Sequence, residues 1–539
     1  MRMGQQLIPF QPNGTFRTIS SGDGLRRKAV RGAGASIAGQ AVSFVLQIGS
    51  VVVLSRILTP ADFGIVTMVT TFALLLRSFG LNGFTEVILQ REELTDSLAS
   101  NFFWINLSIS VALTLIFASS GHLLAHFFHS PAVAPVAAAM SLMIVCSSLG
   151  YIHLALLQRA MRFRTAAVIN LIALMAYVVV AVSLAFAGWH YWALVWGNVV
   201  NAIVMSLGAW VACRWVPSTP KRLQGTRSGV KFAMHVYSHF AFSYLTRNTD
   251  NLLVGWRFGA GALGFYKKAY DLFVLSESQL LAPLSAVVVG TLSRVSSDRE
   301  QFRRYFLRAI SILALVGMGV GADFALVGKD LIRFLLGPGW DEAGRIFSLF
   351  GPGIGVMLLY NTHGWVHLSI GRPERWFRWG LLEFVITASL FLVALHWGPS
   401  GIALAWTSSY FLLMFPGFWY AGKPIGLGIG PIFGVIWKFF AASVFAGCCT
   451  AAILRMAPRL AAEFGASGAF FRMILASTIF LALYLLGVIV LHNGLQPIND
   501  SVRLVHDLLP ERMLKRDSSL TFSGKDVAAV AARPGEEHA

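Results

Sequence analysis

Apolar stretches of roughly 20 residues or more, each able to cross about 30 Å of hydrocarbon at 1.5 Å per residue, recur about fourteen times along this chain. They lie near 32–55, 63–88, 98–120, 131–157, 165–187, 191–213, 230–256, 265–292, 305–327, 345–369, 377–397, 399–420, 432–455 and 470–492. Short alternating runs of the barrel-strand kind are not seen. Only 13% of residues are charged and 56% are hydrophobic, about half the roughly 25% charge of a soluble domain. The chain reads as an all-α polytopic membrane protein, which excludes soluble metabolic enzymes, DNA-binding domains and secreted disulfide scaffolds. Cys146, Cys213, Cys448 and Cys449 all fall in apolar stretches without CxxC spacing and read as small core residues.

Lys and Arg number 43 against 25 Asp and Glu, a formal net charge of +18. On so apolar a chain this excess points to basic cytoplasmic loops rather than to nucleic acid. With the amino terminus inside, about 30 Lys and Arg fall on the inner side and about 10 on the outer side, so both ends are expected in the cytoplasm. Residues 1–24 are polar and do not form a cleavable signal; a basic cluster at Arg26, Arg27, Lys28 and Arg31 leads into the first span. The expected division is a basic tail over 1–31, six spans over 32–213, a linker over 214–229, six spans over 230–421, two more over 432–492 and a charged tail over 493–539, disordered toward its end.

A repeat supports that division. Leu54-Ser55-Arg56 through Pro60 to Phe63-Gly64 is echoed 200 positions later by Val254-Gly255-Trp256-Arg257 through Ala260 to Leu263-Gly264. A second echo aligns Arg159, Arg162 and Phe163 with Arg372, Arg375 and Trp376. Two parallel six-helix lobes plus a C-terminal helix pair follow, an arrangement in which transporters place the substrate between repeats near mid-membrane.

Charges inside spans cost roughly 2.5–3.5 kcal/mol each on insertion scales and therefore face a cavity or a partner. Arg77 lies in span 2, Arg247 and Asp250 in span 7, Glu277 in span 8, Glu383 in span 11 and Lys438 in span 13. Two readings stand side by side. Arg247 pairs with Asp250 one turn away and Arg77 with Glu277, or the arginines line an aqueous vestibule that draws in an anion, for which the guanidinium fork suits phosphate. Arg56 and Arg257 sit at the outer rim, where they line the same vestibule or snorkel to the interface. Asp250, Glu277 and Glu383 are coupling or ion-pair candidates.

The i,i+4 pairs His235/His239 and His363/His367 lack a carboxylate or thiol to complete a metal site, and helix–helix hydrogen bonds are their ordinary role. Trp189, Trp192, Trp340, Trp397 and Trp419 fall near span ends as an interfacial belt, while Trp196, Trp365 and Trp406 lie deeper, where they can stack on sugar faces. No Asp-x-Asp, HExxH, phosphate loop or dinucleotide fingerprint occurs, so neither enzyme chemistry nor a cofactor is called for.

The stretch Arg247-Asn248-Thr249-Asp250-Asn251, continuing through Gly255, Gly259, Ala262, Leu263, Gly264 and Tyr266, resembles the seventh-helix signature of bacterial polysaccharide flippases. Leu54 through Thr59-Pro60 to Phe63-Gly64 is similar to the segment after their first helix. These belong to the multidrug/oligosaccharidyl-lipid/polysaccharide superfamily, and exporters similar to those of colanic acid fit best, over about 30–490. The resemblance implies movement of polyprenyl-pyrophosphate-linked oligosaccharide repeat units from the inner to the outer leaflet of a bacterial plasma membrane, by alternating access through a cationic central cavity. It feeds lipopolysaccharide or exopolysaccharide synthesis, with a polymerase and chain-length machinery as candidate partners.

Arg77, ahead of Phe79-Gly80 and Gly83-Phe84, matches a cationic position of related lipid-linked precursor flippases. Trp256 before Arg257, and Lys267-Lys268 after Tyr266, depart from the pattern. Two other readings stand beside it: a drug antiporter of the same superfamily, for which a net acidic lining is expected, and a membrane polysaccharide polymerase or scaffold, for which a larger outer platform is expected than the loop 328–344.

Overall fold

The computed structural model describes residues 9–16, 23–221, 225–456 and 465–499. Among them the secondary structure is helical apart from two isolated bridges, Phe10–Phe16 and Thr15–Thr95. The carboxy-terminal tail expected to be disordered lies mostly outside the described residues. The basic cluster expected as a tail instead belongs to the opening turns of α1, Asp23–Ile57.

The first copy continues with α2 (Pro60–Phe79), a π turn (Gly80–Phe84) and the short α3 (Thr85–Gln90). It is followed by α4 (Asp96–Ser119), α5 (Gly121–Phe127), α6 (Val133–Arg159), α7 (Phe163–Phe186) and α8 (Tyr191–Cys213). The second copy comprises α9 (Thr226–Arg294), α10 (Arg299–Leu336), α11 (Asp341–Tyr360), α12 (His363–Ser369), α13 (Pro373–Ala394) and α14 (Gly398–Gly422). A final pair, α15 (Ile429–Met456) and α16 (Gly465–His492), completes the chain.

Eleven described segments are long and apolar enough to cross a membrane, where the sequence led us to expect about fourteen. One of the eleven, 373–425, is broken at Gly398, whose φ of +71° separates α13 from α14. Spans 7 and 8, both within α9, are not among the eleven. Their arms carry Arg247, Asp250, Lys267, Lys268, Asp271 and Glu277, and so lack the uninterrupted hydropathy of a lipid-facing helix.

The helix α9 is a hairpin. As a straight rod it would hold residues 247 and 277 about 45 Å apart, yet Arg247 Nη1 lies 3.6 Å from Glu277 Oε2. The chain reverses at Gly259, at φ +80° and ψ −176°, a conformation that favours glycine. The equivalent place in the first copy is Thr59, which caps α2: its side chain accepts from the Asp62 amide while the Asp62 carboxylate accepts from the Thr59 amide at 2.9 Å, with Pro60 opening the helix.

The two echoes meet the structure differently. The first is a contact: an added Cβ at Gly64 would fall 1.8 Å from the Ala260 carbonyl oxygen, and one at Gly264 would fall 1.8 Å from that of Pro60. Each motif packs against the other through reciprocal positions, a local twofold arrangement. The second echo is real but shifted in register. Arg162 donates its amide to Leu157 and Arg372 its amide to His367, both at 2.9 Å, so Arg162 corresponds to Arg372 and Arg375 lies three residues further on.

Residues 55–64, 190, 264 and 334–340 gather at one end, termed the far end. There Trp340 Nε1 donates to the Ser55 carbonyl at 2.8 Å and Arg56 to the Phe334 carbonyl at 2.8 Å. At the opposite, near end, residues 10–16 fold onto the first copy. The Phe16 amide donates to Leu94, the Asp96 amide to Gly14, Phe10 meets Trp215, and Arg159 lies over the Phe16 ring. The C-terminal pair is fastened to α10 by an Arg472–Asp330 ion pair, by Ser477 donating to Asp323 at 3.0 Å and by Tyr484 donating to the Leu315 carbonyl at 2.7 Å.

Candidate functional site

The intramembrane charges converge on the α9 hairpin and the helices beside it, with partners other than those expected. Asp250 does not pair with Arg247. It is fully buried and accepts from Tyr266 Oη at 2.7 Å, Trp406 Nε1 at 2.9 Å and the Asn251 amide. Glu277 is held by Arg247 and by Asn361 Nδ2 at 2.7 Å rather than by Arg77. Glu383 of α13 lies within electrostatic reach of the same Arg247.

Arg247 is therefore tethered but not enclosed by protein. Its side chain is 59% exposed midway along the hairpin, whereas Glu277 is 17% exposed. Ser243, Ser278 and Gln279 on the two arms are exposed as well. Ser278 donates to the Leu275 carbonyl at 3.0 Å, whereas a charged guanidinium within a span calls for a cavity or a partner. Nothing in the sequence separated these three from ordinary helix polars; a helical wheel drawn on Arg247 and Glu277 was the available signal.

Arg77 stands on the other side of the seam. Its guanidinium lies beside Tyr151 of α6 and near Tyr244 of α9, one turn before Arg247. Among the described residues no carboxylate pairs with it. The π turn directly after it is packed tightly, since a Cβ at Gly80 would meet Asn106 Oδ1 at 2.5 Å; such turns recur at functional positions. The field is thus unequal: Arg77 carries unbalanced charge, while Arg247 has two carboxylates nearby.

The rim candidates fall outside this cluster. Arg56 bridges the copies at the far end through its bond to Phe334. Arg257 is exposed at the far end, over the neighbouring Phe258 ring. The tryptophan readings also change. Trp406 and Trp365 are core residues whose indoles donate to Asp250 and to Ser285, so their faces are not free for sugars. Trp340, expected in the interfacial belt, is buried in the far-end seam. No group of three metal-ligating side chains occurs among the described residues; His235 turns to the Lys231 carbonyl, and the His239 side chain lies outside the description.

A cleft of about 370 Å3 opens sideways between α1 and the second arm of α9. Gln47 and Val51 line one wall and Lys267, Asp271, Val274 and Ser278 the other, with Lys267 paired to Asp271. Lys268, one of the residues that depart from the flippase pattern, is buried over the Phe63 ring at 3.9 Å and belongs to the seam.

Known proteins resemble the chain at both levels. The succinoglycan biosynthesis transport protein ExoT of Rhizobium meliloti is 24% identical over 67% of this chain and 73% of its own length. The lipopolysaccharide biosynthesis protein WzxC of Escherichia coli is 23% identical over 60% and 66%, and the teichuronic acid biosynthesis protein TuaB of Bacillus subtilis 23% over 66% and 75%. Among solved structures, the lipid II flippase MurJ in an inward closed conformation matches with a TM-score of 0.68 at 14% identity, covering 85% of this chain and 98% of that one. An inward-facing multidrug resistance MATE family transporter of the MOP superfamily matches with 0.58 at 13%, covering 71% and 94%. These likenesses establish a shared fold. A family model described as polysaccharide biosynthesis protein matches residues 53–345, more than half of the sequence, and the chain belongs to that family.

Proposed function

We propose that this protein is a flippase that moves polyprenyl-pyrophosphate-linked oligosaccharide repeat units from the cytoplasmic to the outer leaflet of a bacterial plasma membrane. The near end, with both termini, faces the cytoplasm, and the lobes divide in the connector 214–229. A pyrophosphate with attached sugars cannot cross about 30 Å of hydrocarbon alone, because each unsatisfied polar group costs several kcal/mol. A wet hollow open to one side at a time removes that cost.

The observation that carries this reading is the exposed Arg247 side chain midway along the α9 hairpin, near Tyr244, which Arg77 approaches from the other copy. Arg77 supplies the unneutralised positive charge. Arg247, held by Glu277, presents its remaining donors in a fixed orientation, so a phosphate oxygen gains charge-assisted hydrogen bonds without a rotamer search. The far-end seam of Gly64 and Gly264 is the closed gate in this state, and the cleft between α1 and α9 is the side door through which a lipid tail stays in the bilayer.

The test is made in cells that depend on this protein for their surface polysaccharide. Arg77→Ala and Arg247→Ala are expected to reduce surface polymer sharply and to accumulate complete lipid-linked units on the inner leaflet, with normal protein levels in the membrane. Full export by both variants removes the cationic site. Single units accumulating at the outer face in place of complete units inside make the protein a polymerase instead.

A further inference from the structure

A second groove, away from the Arg247 site, opens at the near end between the second arm of α9 and the start of α10. Its walls are Leu284, Val288 and Leu292 on one side and Ala309 and Ile312 on the other, with Trp365 of α12 behind, enclosing about 240 Å3. Trp365 is fixed there by its bond to Ser285 at 2.9 Å. Thr291 also lines the groove, but its hydroxyl donates to the Val287 carbonyl at 2.9 Å. Its mouth is different: Tyr305 and Arg308 also line it, and Arg304 lies one turn before Arg308 on the same helix face.

That mouth is strongly basic. Arg294, Arg299, Arg303, Arg304 and Arg308 are all exposed within fifteen residues, against Asp298 and Glu300. Asp298 is spent as a helix cap, accepting from the Glu300 and Gln301 amides. An apolar slot between two membrane helices, with arginines where it meets the aqueous surface, matches a lipid with a hydrocarbon chain and an anionic head; basic pockets between spans on the cytoplasmic side take such heads. A zwitterionic lipid offers no net charge to this cluster.

We propose that this groove is a binding site for an anionic phospholipid of the cytoplasmic leaflet, one acyl chain lying along Val288 and Ile312 and the phosphate held by Arg304 and Arg308. The proposal requires only that the near end meets the bilayer surface and stands independently of the exported substrate.

The experiment is native mass spectrometry of the purified full-length protein with phosphatidylglycerol and phosphatidylcholine of matched chains. Phosphatidylglycerol is expected to be retained at least fivefold better, the preference is expected to vanish in Arg304→Gln/Arg308→Gln, and Val288→Trp is expected to reduce retention of both lipids. The arginine substitutions lie on an exposed surface, so the folded protein remains available for measurement. Equal retention of the two lipids, or a preference that survives the double substitution, overturns the site. A long-chain polyprenyl phosphate that displaces phosphatidylglycerol at lower concentration also overturns it and assigns the groove to the substrate's own path.

Discussion

Arg247 and Glu277 form an ion pair 3.6 Å apart from opposite arms of a helical hairpin. The carboxylate is anchored by Asn361 while the Arg247 side chain is more than half exposed, the geometry of a positioned cation. A charged hydrogen bond is worth about 1.5–3 kcal/mol. Arg247→Ala is therefore expected to reduce export by roughly ten- to a hundredfold, each 1.4 kcal/mol being a factor of about ten. Arg247→Lys should recover part of it, because charge returns without the planar fork. Glu277→Gln, which keeps a partner for Asn361, should cost less than Arg247→Ala. Quantified surface polysaccharide checks the order; an arginine-to-lysine variant as inactive as the alanine variant contradicts the positional role of charge.

The far-end seam makes a conformational prediction. A side chain at Gly64 collides with the backbone of Ala260, and backbone cannot move aside as a side-chain tip can. Gly64→Val is expected to hold the far end open. In a cysteine-free background, the distance between spin labels at positions 57 and 334 should lengthen relative to the parent protein, since Arg56 and Phe334 are joined there. An unchanged distance distribution would show that the seam is not the gate.

Asp250 is an integral part of the second copy's core. Asp250→Ala leaves the Tyr266 hydroxyl and the Trp406 indole without their acceptor, at about 1–3 kcal/mol for each buried group. The detergent-solubilised variant is expected to melt several degrees lower, and Trp406→Phe added to it should cost less than it does alone, because the indole donor has already lost its partner. Additive losses would mean that the three side chains do not form one network.

The Asp330–Arg472 pair fastens the final helix to α10. Breaking a largely buried pair from one side costs about 3–5 kcal/mol, while replacing both members with apolar residues is often neutral. Asp330→Ala should therefore destabilise more than the double variant Asp330→Leu/Arg472→Met. Thermal unfolding of the three proteins decides it, and a double variant less stable than the single one refutes the assignment.

The apolar runs, the charge asymmetry and the first echo were legible in the sequence because each is local: a run length, a loop count, a motif and its spacing. The candidate site was half legible. That Arg77, Arg247, Asp250, Glu277 and Glu383 needed partners followed from the cost of charge in hydrocarbon, but which partners did not. The i,i+3 spacing favoured Asp250 for Arg247, and the fold gave that carboxylate to an indole 156 residues away. Trp406 and Trp365 looked like sugar platforms for the same reason: an indole N–H in a span reads alike whether it serves a ligand or a core acceptor.

Sequence by itself determined that this chain spans membranes as a duplicated bundle of helices, since hydrophobic length and repetition are written residue by residue. Only the tertiary structure decided that Gly259 folds two spans into one hairpin, that Gly64 and Gly264 pack on each other's helices, and that Arg247 pairs with Glu277. Those outcomes depend on which surfaces meet across the bundle, and a contact between distant helices has no signature in either helix alone.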